Sequence, residues 1–166
     1  MKTIKKLVPA FILKNYKNQL FNGNFEAFTM FIDISGFTAM TQSLMRNGKE
    51  GAEILTLIIN KIFTPSIDAI YENGGFISTF AGDAFTAIFP LQKSNAISII
   101  HSAVSIQRIF REIGLQRSRF GEYDLSVKIG LSFGKVDWKI FRNKQHWKFK
   151  CNKVLWGWNS NRSGSC

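Results

Sequence analysis

The chain has 166 residues, of which 45% are hydrophobic and 16 are phenylalanine; this is enough for one folded domain and excludes a disordered composition. Three prolines, no low-complexity tract and no internal repeat leave no sign of a long linker. The net charge of +11 is lopsided, with eight Lys/Arg against the single acid Asp137 in residues 135–166 and fourteen against ten in residues 1–134.

A basic tail of this kind suits nucleic acid or an anionic membrane surface, but the plainer reading is a solvated tail, because charge runs specify little by themselves. The mild positive balance of residues 1–134 suits a polyphosphate ligand. Only two cysteines occur, Cys151 and Cys166, at no metal-like spacing, so a reducing, cytoplasmic location is expected. No apolar run reads as long enough to span a membrane; Ile54–Phe63 and Ile97–Ile113 are broken by polar residues at helical spacing. The opening MKTIKKLVPAFILKNYK has neither a long apolar core nor a small-residue cleavage site, so no signal peptide is read.

In chain order, residues 1–25 form a lead-in with a short helix. Glu26–Asp33 (EAFTMFID) is almost continuously apolar, as a central strand covered on both faces should be. A short helix is predicted from Gly36 to Met45, then a turn over RNGKEG, 46–51. Ile54, Ile58, Ile62 and Leu55, Ile59, Phe63 form two rows at i, i+4 spacing and predict an amphipathic helix. Pro65 is expected to kink or divide it, and Asn73-Gly74-Gly75 to stop it.

FISTF, 76–80, and AFTAIFP, 84–90, read as strands joined by a tight turn at Ala81-Gly82-Asp83. Ser94 is the expected cap of a helix running to Ile113, with Ile97, Ile100, Val104, Ile106, Ile109/Phe110 and Ile113 facing inward. Leu125, Val127, Ile129, Leu131 and Phe133 alternate strictly and predict a strand that Gly134 ends; VDWKIF then starts another.

This order is the split βαβ pattern of an α+β, ferredoxin-like fold with an antiparallel sheet. In it the third strand runs down beside the first, so Asp33 and Asp83, fifty residues apart, share one rim. Two nearby carboxylates repel unless a cation or proton lies between them, and Mg²⁺ typically takes one or two carboxylates plus substrate phosphates. Beyond Asp33 the chain turns through Ser35-Gly36 into a helix N-terminus, where backbone N–H groups can meet an anion. The plainer alternative makes Asp33 a helix cap and Asp83 an ordinary turn residue. RNA-recognition domains share this topology but carry basic and aromatic residues on exposed strand positions; that alternation is missing here, so no specific nucleic acid is expected. His101 has no Cys or acid at ligand spacing and reads as a helix surface residue, and His146 earns no role.

FIDISGFTAMT followed by GGFISTFAGDAFTAIF resembles the class III nucleotidyl cyclases, most of all the first catalytic domain of the soluble adenylyl cyclase type. The resemblance runs from about Phe25 to Phe133. It implies conversion of ATP to 3′,5′-cyclic AMP and pyrophosphate with two divalent ions, Mg²⁺ or Mn²⁺. Asp33, Asp83 and the carbonyl of Ile34 would bind the metals, and the backbone of Gly36, Phe37 and Thr38 the β- and γ-phosphates. It also implies a second cyclase domain, as a homodimer or a heterodimer-like partner, because such sites lie between two domains.

Two departures stand out. The purine-reading lysine of the family lies four residues before the second metal aspartate; here that residue is Thr79, so this half would donate the metals, and Thr79 would line the degenerate second site where the soluble type binds bicarbonate. The family also carries an Asn and, after three intervening residues, an Arg on a helix for the transition state. Asn159 and Arg162 have two intervening residues and no helical periodicity around them, so these roles are not carried over. The domain is therefore read as 26–147, incomplete at its C-terminal end, followed by an atypical tail, 148–166, expected to be non-native sequence read in a shifted frame. A catalytically inactive metal- and nucleotide-binding module is the alternative function.

Overall fold

The computed structural model describes residues 10–142 and 147–152. His146, Trp156, Trp158, Asn159, Arg162 and Cys166 lie outside the described residues. The elements are α1 (Ala10–Lys17), β1 (Asn22–Ser35), α2 (Phe37–Met45), α3 (Gly48–Glu72), β2 (Phe76–Ala81), β3 (Ala84–Pro90), α4 (Ala96–Ile113), β4 (Leu115–Ser118), β5 (Gly121–Asp124), β6 (Ser126–Arg142) and β7 (Trp147–Asn152).

Five strands form one sheet in the order β2-β3-β1-β6-β7, each described neighbour pair antiparallel. This is the α+β, split βαβ arrangement expected from the sequence. The small β4–β5 hairpin stands apart from that sheet. β1 is central because both its faces are buried over much of its length. Met30, Ile32 and Ile34 point into the main core with Met40 and Leu44 of α2, Ile58 and Ile62 of α3, and Ile106 of α4. Phe25 and Ala27, on the opposite face, pack with Phe76, Ile88, Val136 and Trp138 under Ile12 of α1. Period-2 alternation thus feeds two cores from one strand.

Several local expectations are corrected. β1 extends beyond 26–33 at both ends, because its partner β6 is long enough to pair with it from Asn22 to Ser35. β6 runs through Gly134, which sits opposite Ala27 in the ladder; a glycine flanked by paired residues does not end a strand. β7 pairs with β6 between Asp137–Asn152 and Arg142–Trp147, so the sheet includes residues 147–152. The segment 46–51 is a turn only at its start, since α3 begins at Gly48 and continues unbroken through Pro65.

α3 is also long and apolar enough, by length and composition, to cross a membrane, contrary to the expectation that no segment is. Packing uses part of that apolar content: Ile58, Ile62, Ala69 and Ile70 are buried in the fold, while Leu57 is exposed.

The cap of α4 is Asn95, not Ser94. The Asn95 side chain accepts from the Ser98 amide at 2.9 Å in a capping box, while the Ser94 hydroxyl donates to the Asn73 carbonyl at 3.1 Å. The inward face of α4 is Ile99, Ser102, Ala103, Ile106 and Phe110; Ile97, Ile100 and Val104 are exposed. Both sides of the helix are apolar, so periodicity alone does not choose between them. Close approach does: Ser102 is fully buried and donates to the Ala69 carbonyl on α3 at 2.9 Å, a contact that a larger side chain would block.

Ile32, fully buried beside Asp33, should be among the costliest positions to truncate. Ile32→Ala is expected to lower unfolding stability by about 2–5 kcal/mol in denaturant titration. A loss well under 1 kcal/mol would contradict the two-core description of β1.

Candidate active site

The site is built where β1 and β3 meet at one end of the sheet. Asp33 lies opposite Ala84 in the β1–β3 register, so Asp83 is one residue from it along the neighbouring strand. The Ile34 amide donates to the Asp83 carbonyl at 3.4 Å and closes the junction. Both aspartates are half-buried. Asp33 belongs to the face of β1 that carries Phe31 and Thr29, away from α2, α3 and α4. The Asp83 carboxylate faces the start of α2, where Oδ2 accepts from Thr38 Oγ1 at 2.9 Å.

Gly36 makes the elbow between β1 and α2. Its φ of +88° is in the left-handed region, and a Cβ there would sit 2.6 Å from the Asp124 carbonyl oxygen. No side chain caps α2 at Gly36. The first-turn amides therefore have no side-chain acceptor from the cap and carry the positive end of the helix dipole beside the carboxylates. Phe37 packs its ring against Phe63 of α3, so this residue offers the site only its main chain. Ile34 likewise buries its side chain, leaving its backbone as the available ligand.

One functional candidate was not singled out in the sequence. Lys128 lies directly opposite Asp33 in the β1–β6 register, so the two share one face. The only sequence signal is its place as a polar residue in the 125–133 alternation; its meaning appears once β6 is known to flank β1. Thr79 pairs with Thr86, which pairs with Phe31, which pairs with Gly130. This row crosses the open face of the sheet next to the Asp33 row. A register shift between Ile77 and Thr79 presents Thr79 there, while the Ser78 hydroxyl donates to the Thr86 carbonyl at 3.1 Å. Phe31 is 51% exposed in this row.

A family model described as "Adenylate and Guanylate cyclase catalytic domain" matches residues 24–163. The chain belongs to this family. The cyclase domain is 36% identical to adenylate cyclase type 10 of Oryctolagus cuniculus over 120 residues, which is 70% of this chain and 7% of that protein. It is 35% identical to adenylate cyclase type 10 of Homo sapiens over 129 residues, 75% of this chain and 8% of that protein. The chain thus spans less than a tenth of the length of these relatives. The structure of a bacterial light-regulated adenylyl cyclase superposes with a TM-score of 0.71 at 18% identity, covering 92% of this chain and 44% of that one, and shows the shared fold.

Class III cyclases typically use two divalent metals, bind nucleotide and dimerise. The donor set in this cyclase domain fits such ions. Among the described residues no group of three or more His, Cys, Asp or Glu gathers at one point. Two carboxylates with backbone carbonyls form a hard-oxygen set of the kind that leaves coordination positions for phosphates and water, as Mg²⁺ and Mn²⁺ require.

The elbow yields a direct test. Gly36→Ala combines a positive φ with a backbone clash and should cost about 1–3 kcal/mol in unfolding measurements. Wild-type stability in this variant would contradict the tight approach of Asp124 to Gly36.

Proposed function

We propose that this chain is the metal-donating half of an adenylate cyclase, converting ATP to 3′,5′-cyclic AMP and pyrophosphate when paired with a second cyclase domain. The observation that carries the reading is the meeting of Asp33, Asp83 and the N-terminal turn of α2 on one rim. Asp33, Asp83 and the main chain of Ile34 would hold two divalent cations, Mg²⁺ or Mn²⁺. The amides of Gly36, Phe37 and Thr38 would take the β- and γ-phosphate oxygens, aided by the helix dipole. Lys128, across the strand from Asp33, would neutralise further triphosphate charge.

The ribose 3′-hydroxyl gives up its proton to water, its oxygen attacks the α-phosphorus, the bond to the bridging oxygen breaks, and pyrophosphate departs. Bound divalent cations would lower the pKa of the attacking hydroxyl and offset phosphate charge. The protein's own task is orientation: holding the triphosphate so that the 3′-oxygen and the leaving oxygen lie in line. The second domain would dock on the open sheet face around Phe31, Thr86 and Gly130 and supply the base-reading and transition-state groups. Thr79, on that face, carries no cation that could hold a purine nitrogen or a bicarbonate ion, so those tasks fall to the partner or are lost.

A second reading, binding of metal–nucleotide without turnover, is favoured by the absence from the sequence of the family's Asn and Arg spacing, since Asn159 and Arg162 have two intervening residues. A cyclase assay with Mn²⁺ and ATP separates the two. Product is expected from the chain mixed with the second catalytic domain of a relative, with little from the chain alone. In that mixture Asp33→Ala and Asp83→Ala should each lower the rate by at least about a hundredfold. Wild-type rates in either variant would overturn the site assignment. Association and nucleotide binding without product would favour the second reading.

A further inference from the structure

The β4–β5 hairpin takes no part in the rim, yet it holds α2 and the start of α3 at three levels. At its base the Asp124 carbonyl lies under Gly36, close enough to exclude a side chain there. One residue earlier, the Tyr123 hydroxyl lies 3.1 Å from Ser43 Oγ on α2 and 3.3 Å from the Phe120 carbonyl. A phenol has one hydrogen. With it donated to the Phe120 carbonyl, the Ser43 hydroxyl is the donor to Tyr123. Near the tip, the Arg119 guanidinium pairs with the Glu50 carboxylate in the first turn of α3. Arg117 and Glu122, 2.9 Å apart, join the two hairpin strands, and the Tyr123 ring packs against the main core.

α2 needs such a support. It has nine residues, no side-chain cap and no acidic residue in its first turn, and a helix this short does not persist by itself. Met40 and Leu44 anchor its inner face in the core. Its remaining freedom is rotation about that anchor, which would swing the first-turn amides relative to the carboxylates. Two hydrogen bonds oppose this rotation: Thr38 to Asp83 at the first turn and Ser43 to Tyr123 at the far end.

We infer that the β4–β5 hairpin braces α2, with Tyr123 and Ser43 as positioning residues that set the Gly36–Thr38 amides for the triphosphate of a metal–nucleotide. The ligand class rests on the cyclase reading; the brace itself rests on the contacts above. Neither residue touches the reacting atoms.

The test uses the full chain with Tyr123→Phe, which keeps the buried ring, and independently Ser43→Ala, which keeps the tyrosine. Amide hydrogen exchange of residues 37–45 is followed without ligand, and the affinity for Mn²⁺–ATP is measured by titration. In both variants α2 amides should exchange about three- to tenfold faster, with β1 and α3 amides little changed, and Mn²⁺–ATP should bind about three- to tenfold more weakly. The double variant should be no weaker than Tyr123→Phe alone, which already removes the bond to Ser43 along with that to the Phe120 carbonyl. Unchanged exchange in α2, faster exchange with unchanged affinity, or a uniform loss of protection across the fold would each overturn the brace. If the wild-type chain binds no Mn²⁺–ATP, the site reading fails and this role falls with it; wild-type binding that ignores both variants overturns the brace alone.

Discussion

The pairing of β1 with β3 on one side and β6 on the other is the constraint on which the rest depends. Met30, Ile32 and Ile34 are almost wholly buried on one face, and Phe25 and Ala27 on the other. A slip of one residue would exchange these sets and drive Asp33 into the apolar core, so the register is strongly fixed. That register places Asp33 beside Ala84, hence beside Asp83, and across from Lys128. The carboxylates are therefore brought together by hydrophobic packing and not by any attraction of their own. Of the two, the Asp83 carboxylate accepts from the Thr38 hydroxyl beside the helix end at Gly36.

The two faces of the sheet divide the labour. One is closed by α2, α3 and α4 and supplies the core. The other is closed by α1 at the end holding Phe25, Phe76 and Trp138, and is open near Phe31 and Asp33. An open sheet face with an exposed phenylalanine in its centre and a polar rim beside it is the form expected of a surface that meets another domain. Cyclase domains of this family dimerise, and an open face of this form suits such pairing. The hairpin behind α2 completes the picture, because a short uncapped helix can present its amides only if something outside it fixes its orientation.

What was legible in the sequence was whatever rests on local pattern. The apolar run into Asp33, the Ser35-Gly36 elbow, the turn at Gly82-Asp83 and the 125–133 alternation all describe short-range choices, and the strand order follows from them by topology. What was not legible depends on neighbours distant in sequence. On α4 the expected inward residues Ile106, Phe110 and Ile113 do face the core, but Ile97, Ile100 and Val104 only mimic a core stripe, and small Ser102 and Ala103 take that place because α3 lies close. The β4–β5 hairpin is polar and carries no alternating apolar signal; its order comes from Tyr123, Arg119 and the base against Gly36. Lys128 was seen as part of a strand, but only the β1–β6 register gives it a partner. Gly134 reads as a strand end and Pro65 as a kink or division of the helix; β6 pairs on through Gly134, and α3 is one helix through Pro65.

The central claim is that the rim formed by Asp33, Asp83 and the first turn of α2 binds a metal–triphosphate. Paramagnetic broadening of backbone amide signals by Mn²⁺–ATP, recorded on the isotope-labelled chain, tests it most directly. The account predicts that signals of residues 33–38 and 82–84 broaden first, and that the effect is lost in Asp33→Ala. Broadening that is absent, or that spreads over other residues while sparing these, would contradict it.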